Sequence, residues 1–163
     1  MTRRALTTIE REWSLRAMLD ANVAPPALCK RAVHEAVIIS TRPTLLKLHS
    51  PRELIAHISL KQRAIGITLG RQIYITSHLF DADGELPLSL VIHETTHVAQ
   101  YLRDGYTGFL ARYVKDYLTN LARGMSDRDA YLAIPHEIEA RKTEQYLQAH
   151  MHDAQLKHVR RIY

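Results

Sequence analysis

Apolar residues in this chain recur mostly every three or four positions, the rhythm of helices with one buried face. Leu6, Ile9, Trp13 and Ala17 follow it and predict a first helix. After the break "NVAPP" a second helical stretch runs through "ALCKRAVHEAVI", with its prolines where a first turn tolerates them. "HSPRELIAHI" predicts a short helix with Ser50 as N-cap, Pro51 at the first helical position and Glu53 at the third. Residues 1–50 are thus expected to form a helical supporting layer.

The rhythm changes at "AIGITLGRQIYITSHLF". Here Ile65, Ile67, Ile73, Tyr74, Ile75 and Thr76 flank "LGRQ", which predicts a β-hairpin with Gly70 in its turn, the only convincing strand signal in the chain. The loop "DADGE" leads into a central helix that Pro87 starts and Gly105 ends as a C-terminal cap. A further helix runs through "TGFLARYVKDYLTNLAR", and one or two more through "GMSDRDAYLAIPHEIEARKTEQYLQAH". Ser126 and Asp129 form a capping pair there, and Pro135 breaks or restarts the helix. The expected fold is α+β and mainly helical, with a small hairpin beside the central helix.

Composition narrows this picture. A chain of 163 residues, 46% of them hydrophobic, with 6 Gly and 6 Pro, suits one compact domain over 1–163. Its net charge of +5 and pI of about 9.5 would suit an acidic partner. Yet the basic residues are scattered among acidic ones and do not interleave with aromatics, which argues against a nucleic-acid partner. Cys29 is alone, so no intrachain disulfide can form, and it reads as a small buried hydrophobe. The first residues lack an apolar signal region, and no apolar run approaches the ~18 residues of a membrane span. The expectation is a cytoplasmic protein, or one exported by a dedicated secretion system, without a membrane partner.

The chemistry concentrates in "LVIHETTHVAQYLRDG", where His93, Glu94 and His97 form the pattern H-E-x-x-H. Residues four apart on a helix are rotated by about 400°, so both imidazoles point the same way and can bind one ion. Glu94 lies beside them rather than opposite, the place for a general base that reaches a water without being a ligand. The flanks "LSLV", "TT" and "VA" carry no charge, so the helix can be buried while its histidines face a cleft. His150, His152 and His158 lie in a charged C-terminal tail without ligand spacing and read as surface residues.

Together, "ITLGRQIYI", "LVIHETTHVAQYLRDG" and "YLAIPHEIEAR" resemble the gluzincin class of zinc metallopeptidases. They are especially similar to the minimal gluzincins and to the metallopeptidase domain of bacterial contractile injection systems. The likeness covers about residues 63–145, leaving the helical layer before it and a basic tail, 146–163, after it. It implies a zincin-like fold, Zn2+ as cofactor, a protein or peptide substrate, and an edge strand, here "RQIYIT", along which an extended peptide pairs. It also implies a third ligand, a glutamate on a later helix, which is Glu137 or Glu139. These two differ by about 200° in direction, so at most one faces the histidines. The pattern places a small residue three positions after the ligand; Ala140 stands there if the ligand is Glu137, which favours that choice. The pattern's next residue is commonly an Asp supporting a ligand histidine, whereas this chain has Arg141, free to pair with Glu137 or Glu144. Tyr131 and His136 lie near the third ligand and could stabilise an oxyanion, and Gln100 could brace the helix or line the cleft. The rival reading is a metal-stabilised binding or structural protein of the same fold without turnover.

Overall fold

The computed structural model describes residues 3–41 and 66–151. In chain order these form β1 (Arg3–Ala5), α1 (Thr8–Asp20), α2 (Pro26–Glu35), β2 (Val37–Thr41), β3 (Gly66–Leu69) and β4 (Gln72–Thr76). A short 3-10 turn, Ser77–Leu79, precedes α3 (Leu88–Asp104), α4 (Tyr106–Ala122), α5 (Asp127–Leu132) and α6 (Pro135–His150). The fold is mainly helical with one small mixed sheet, an α+β arrangement. Among the described residues no helix is long and apolar enough to cross a membrane.

The boundaries follow local chemistry. Thr7 caps α1, its hydroxyl accepting from the Glu10 backbone while the Glu10 carboxylate accepts from the Thr7 backbone. Both Glu10 oxygens also accept from the Arg4 guanidinium at 2.7 Å, so this buried carboxylate is fully matched and ties β1 to α1. Pro26 opens α2, Gly105 ends α3 at φ 74°, Ser126 caps α5 by accepting from the Asp129 backbone, and Pro135 opens α6. Gly70 makes the β3–β4 turn at φ 66°.

The sheet departs from the sequence reading. Its order is β1-β2-β4-β3, with β2 and β4 parallel and both outer pairs antiparallel. The predicted hairpin is therefore half of a larger sheet, and "RQIYIT" on β4 is an inner strand hydrogen-bonded on both sides. It cannot be the edge along which a peptide pairs; among the described residues the edge beside α3 is β3. The end of "ALCKRAVHEAVI" is not helical either. Its helix stops at Glu35, and Val37 and Ile38 begin β2, so the N-terminal layer contains two strands as well as two helices. Within α1 the buried face is Glu10, Ser14, Ala17 and Met18, while Ile9 stands 63% exposed. The helix predicted from Ser50, and Ile65, His152 and His158, lie outside the described residues.

The core centres on α3. Every residue from Ser89 to Tyr101 is buried except His93, which is half-buried. Leu90, Val91, Val98 and Ala99 pack with α1, α2 and the sheet residues Ile38, Ile73 and Ile75. Cys29 is buried in the same cluster. Tyr101 joins Phe109 and Tyr113 of α4 and Ile134 just before α6, and Ile92 meets Ala17 and Leu147. Against α6 the contact is made of small side chains: Thr96 lies 2.9 Å from Thr143 through their hydroxyls, and Thr143 donates to the Ala140 carbonyl. The pairings His93–Glu144, Thr96–Thr143 and Gln100–Glu139 show that the two helices run antiparallel. Ala140 is fully buried in this seam, so Ala140→Leu should cost about 1–3 kcal/mol by overpacking. Ile138→Ala, at a side chain 40% exposed, should change stability by less than about 0.5 kcal/mol. Urea unfolding of both variants checks the ranking.

Candidate metal centre

Two antiparallel helices bring the cluster together. His93 and His97 project from successive turns of α3, and Glu137 meets them from the first turn of α6. The two Nε2 atoms are 3.2 Å apart, and each lies 3.3 Å from a Glu137 oxygen. Glu137 and His97 are buried. One donor atom from each residue can be chosen so that all lie within 4.8 Å of one another, a group able to hold a metal ion.

The hydrogen bonds around the cluster decide what it lacks. The Nδ1 of His93 bonds the Glu144 carboxylate, and the Nδ1 of His97 bonds the Gln100 side-chain oxygen at 2.8 Å. The Gln100 amide is oriented by its own NH2 group, which donates to the His136 carbonyl at 2.9 Å and to Glu139 at 2.8 Å. Both acceptors therefore draw the ring proton to Nδ1, and in the neutral imidazoles each Nε2 presents a lone pair. Two lone pairs and a carboxylate then converge in a buried space. Tyr113 donates to Glu137 Oε1 at 2.7 Å, but among the described residues the buried Oε2 has no hydrogen-bond partner, only His93 Nε2 at 3.3 Å. Burying unmatched acceptors is costly, so the arrangement requires a cation: added protons or a metal. The residues present fit a metal.

Without a metal, protons take that place. Burial resists charge on His93, yet Glu137 and Glu144 outweigh it and hold its pKa well above 6.5. His97 is raised as well, burial again being opposed mainly by Glu137. Glu137 is held well below the usual carboxylate range, the two histidines overcoming its burial.

Glu94 faces the same cleft but is not one of the clustered donors. Its Oε2 accepts from the Thr68 hydroxyl at 2.7 Å. Tyr131 also lines the cleft, where burial, reinforced by the Glu137 and Glu94 charges, keeps its hydroxyl protonated well above the ordinary phenol range. His136 does not line the cleft. Its Nε2 bonds Asp104 at 2.8 Å and its ring packs on Phe109, so the expected oxyanion role falls away. Asp104 itself is held at about 2, its burial outweighed by Arg103 and His136.

Of the two candidate third ligands, the structure places Glu137 in the cluster and turns Glu139 toward Gln100 and Arg103. Arg141 pairs with neither Glu137 nor Glu144; its guanidinium donates to the Leu132 carbonyl. Sequence reasoning missed Thr68, Tyr113 and the support that Glu144 gives to His93. Glu144 was findable, because seven residues after Glu137 lies the same face of α6. Nothing local marked the other two. No protein-family model, curated protein or solved structure matches the chain.

Glu137→Ala should weaken Zn2+ binding by at least about 100-fold, while Glu139→Ala, which acts only through Gln100, should weaken it by no more than about tenfold. Titration against a competing chelator measures both. The raised histidines also give a pH signature. In metal-free protein their folded pKa values exceed the unfolded 6.5, so their stabilising contribution is complete below about pH 6.5 and lost as pH rises through the folded values. Urea unfolding of metal-free protein from pH 6 to 9 should show this decline, and His93→Gln should flatten it.

Proposed function

We propose that the chain is a zinc-dependent peptidase of zincin-like fold. The observation that carries the reading is the position of Glu94: a carboxylate facing the cleft beside the His93–His97–Glu137 cluster without belonging to it. A purely structural metal site has no use for such a group, whereas hydrolysis needs a base next to its metal. The two histidine nitrogens, 3.2 Å apart, stand close to the roughly 3.3 Å between ligands of a tetrahedral site with zinc–ligand distances of about 2.0–2.1 Å, and Glu137 reaches His93 with Oε2 and His97 with Oε1, each at 3.3 Å.

Bound zinc would supply Lewis acidity, polarising a carbonyl and lowering the pKa of a water to about 7. His93, His97 and Glu137 would hold the ion. Glu94 takes the proton of the attacking water and passes it to the leaving amine nitrogen as the peptide bond breaks. Tyr131 keeps its proton and can donate a hydrogen bond to the oxyanion. A protein or peptide substrate agrees with β3, an edge strand among the described residues, of which Gly66, Ile67 and Thr68 line the cleft.

Glu94→Gln provides the test. The variant should retain about one zinc per chain by elemental analysis and lose about 10²- to 10⁴-fold in chelator-sensitive hydrolysis of a fluorogenic peptide library. Full turnover in the variant would remove Glu94 as base. Zinc in the wild type without any hydrolysis would favour the metal-stabilised binding protein.

A further inference from the structure

We infer that β3 forms the seat of the general base: Thr68 anchors Oε2 of Glu94, Gly66 makes room for Oε1, and Oε1 is the oxygen that takes the proton. This rests on the reading of Glu94 as base. Two independent contacts carry it. The Thr68 hydroxyl lies 2.7 Å from Glu94 Oε2 and 3.1 Å from the Glu94 carbonyl. With a single proton to give, it favours the nearer, charged acceptor. Two residues earlier, and so on the same side of the strand, Gly66 has no side chain to oppose the carboxylate. A Cβ there would lie 2.6 Å from Oε1, 2.9 Å from Cδ and 3.2 Å from Cγ of Glu94. Gly66 is not among the glycines with positive φ, so space and not backbone freedom is what the position demands.

The consequence is a division of labour within one carboxylate. A glutamate has three side-chain torsions, and unheld its head could swing through several rotamers. Thr68 removes that freedom by holding Oε2, and the absent side chain at Gly66 leaves the place that Oε1 then occupies. Thr68 is a positioning residue. It acts on the reacting atoms through Glu94 and is not itself required to touch substrate.

Thr68→Val keeps the shape and removes the donor, while Thr68→Ser keeps the donor. Zinc-loaded crystal structures of wild type and both variants should show the Glu94 carboxylate in place in wild type and Ser, and displaced in Val. With zinc content and KM unchanged, kcat should fall about 10- to 100-fold in Thr68→Val, the usual penalty for an ångström of misplacement, and return to within about threefold of wild type in Thr68→Ser. Gly66→Ala should displace the same carboxylate from the other side. A Glu94 that stays in place in Thr68→Val, or an equal loss of kcat in Val and Ser, overturns the assignment. A displaced carboxylate in Val together with a wild type that hydrolyses nothing upholds the seat and instead removes the peptidase reading.

Discussion

Three acceptors converge in a buried space with too few donors to satisfy them, and the surrounding structure is arranged to keep them there. In their neutral forms His93 and His97 turn lone pairs toward one another, because Glu144 and Gln100 hold their protons on the far side of each ring. Glu137 completes the convergence with one oxygen satisfied by Tyr113 and the other unmatched. Such a grouping repels itself until a cation enters. Holding it together beforehand requires that the helices bearing it be fixed by other forces.

Those forces are apolar. The helix α3 takes part in all three hydrophobic clusters, so its register is set from the sheet side, from α1 and α2, and from the later helices at once. Its seam with α6 uses Thr96, Ala140 and Thr143, side chains short enough to let the helices approach until Glu137 can meet both imidazoles. A polar chain extends from the seam: Gln100 to Glu139, Glu139 to Arg103, and Arg103 to the Val23 carbonyl between α1 and α2. The orientation of the His97 ring is thereby tied to the N-terminal layer. Its partner His93 is backed by a carboxylate and His97 by a neutral amide, so the first imidazole is the more basic of the two.

How far the sequence could be read depended on the range of the interactions involved. The helices α3 to α6 were legible because caps, prolines and apolar periodicity are local: Gly105, Ser126 and Pro135 act on their own neighbours. The strands β1 and β2 were not. Three residues cannot show alternation, and "VIIS" after a helical run has no period of its own, since an inner strand buried on its faces reads like a buried helix. Without β2, the pairing that makes β4 an inner strand could not be foreseen. At the site, His93, Glu94 and His97 lie within five residues of one helix and were visible as a motif, and Glu137 was reachable through the gluzincin resemblance. Thr68 and Glu94 are 26 residues apart and Tyr113 and Glu137 are 24 apart, contacts that exist only after folding.

Arg141 illustrates the same point in reverse. The gluzincin pattern that the sequence resembles has an acidic residue there to support a ligand histidine, and a literal reading of the sequence would find the support missing. On α6, positions 141 and 144 lie one and two turns beyond Glu137, both near its face. Because α6 runs antiparallel to α3, a residue further along α6 lies nearer the start of α3. Glu144 therefore comes level with His93, the first histidine, and supplies the carboxylate from one turn later. Arg141 is left to bind the Leu132 carbonyl and fasten the end of α5 to α6. What a ligand histidine demands is an acceptor at its Nδ1, a requirement on position in space. The sequence position that satisfies it can shift by a turn wherever two packed helices offer another side chain within reach.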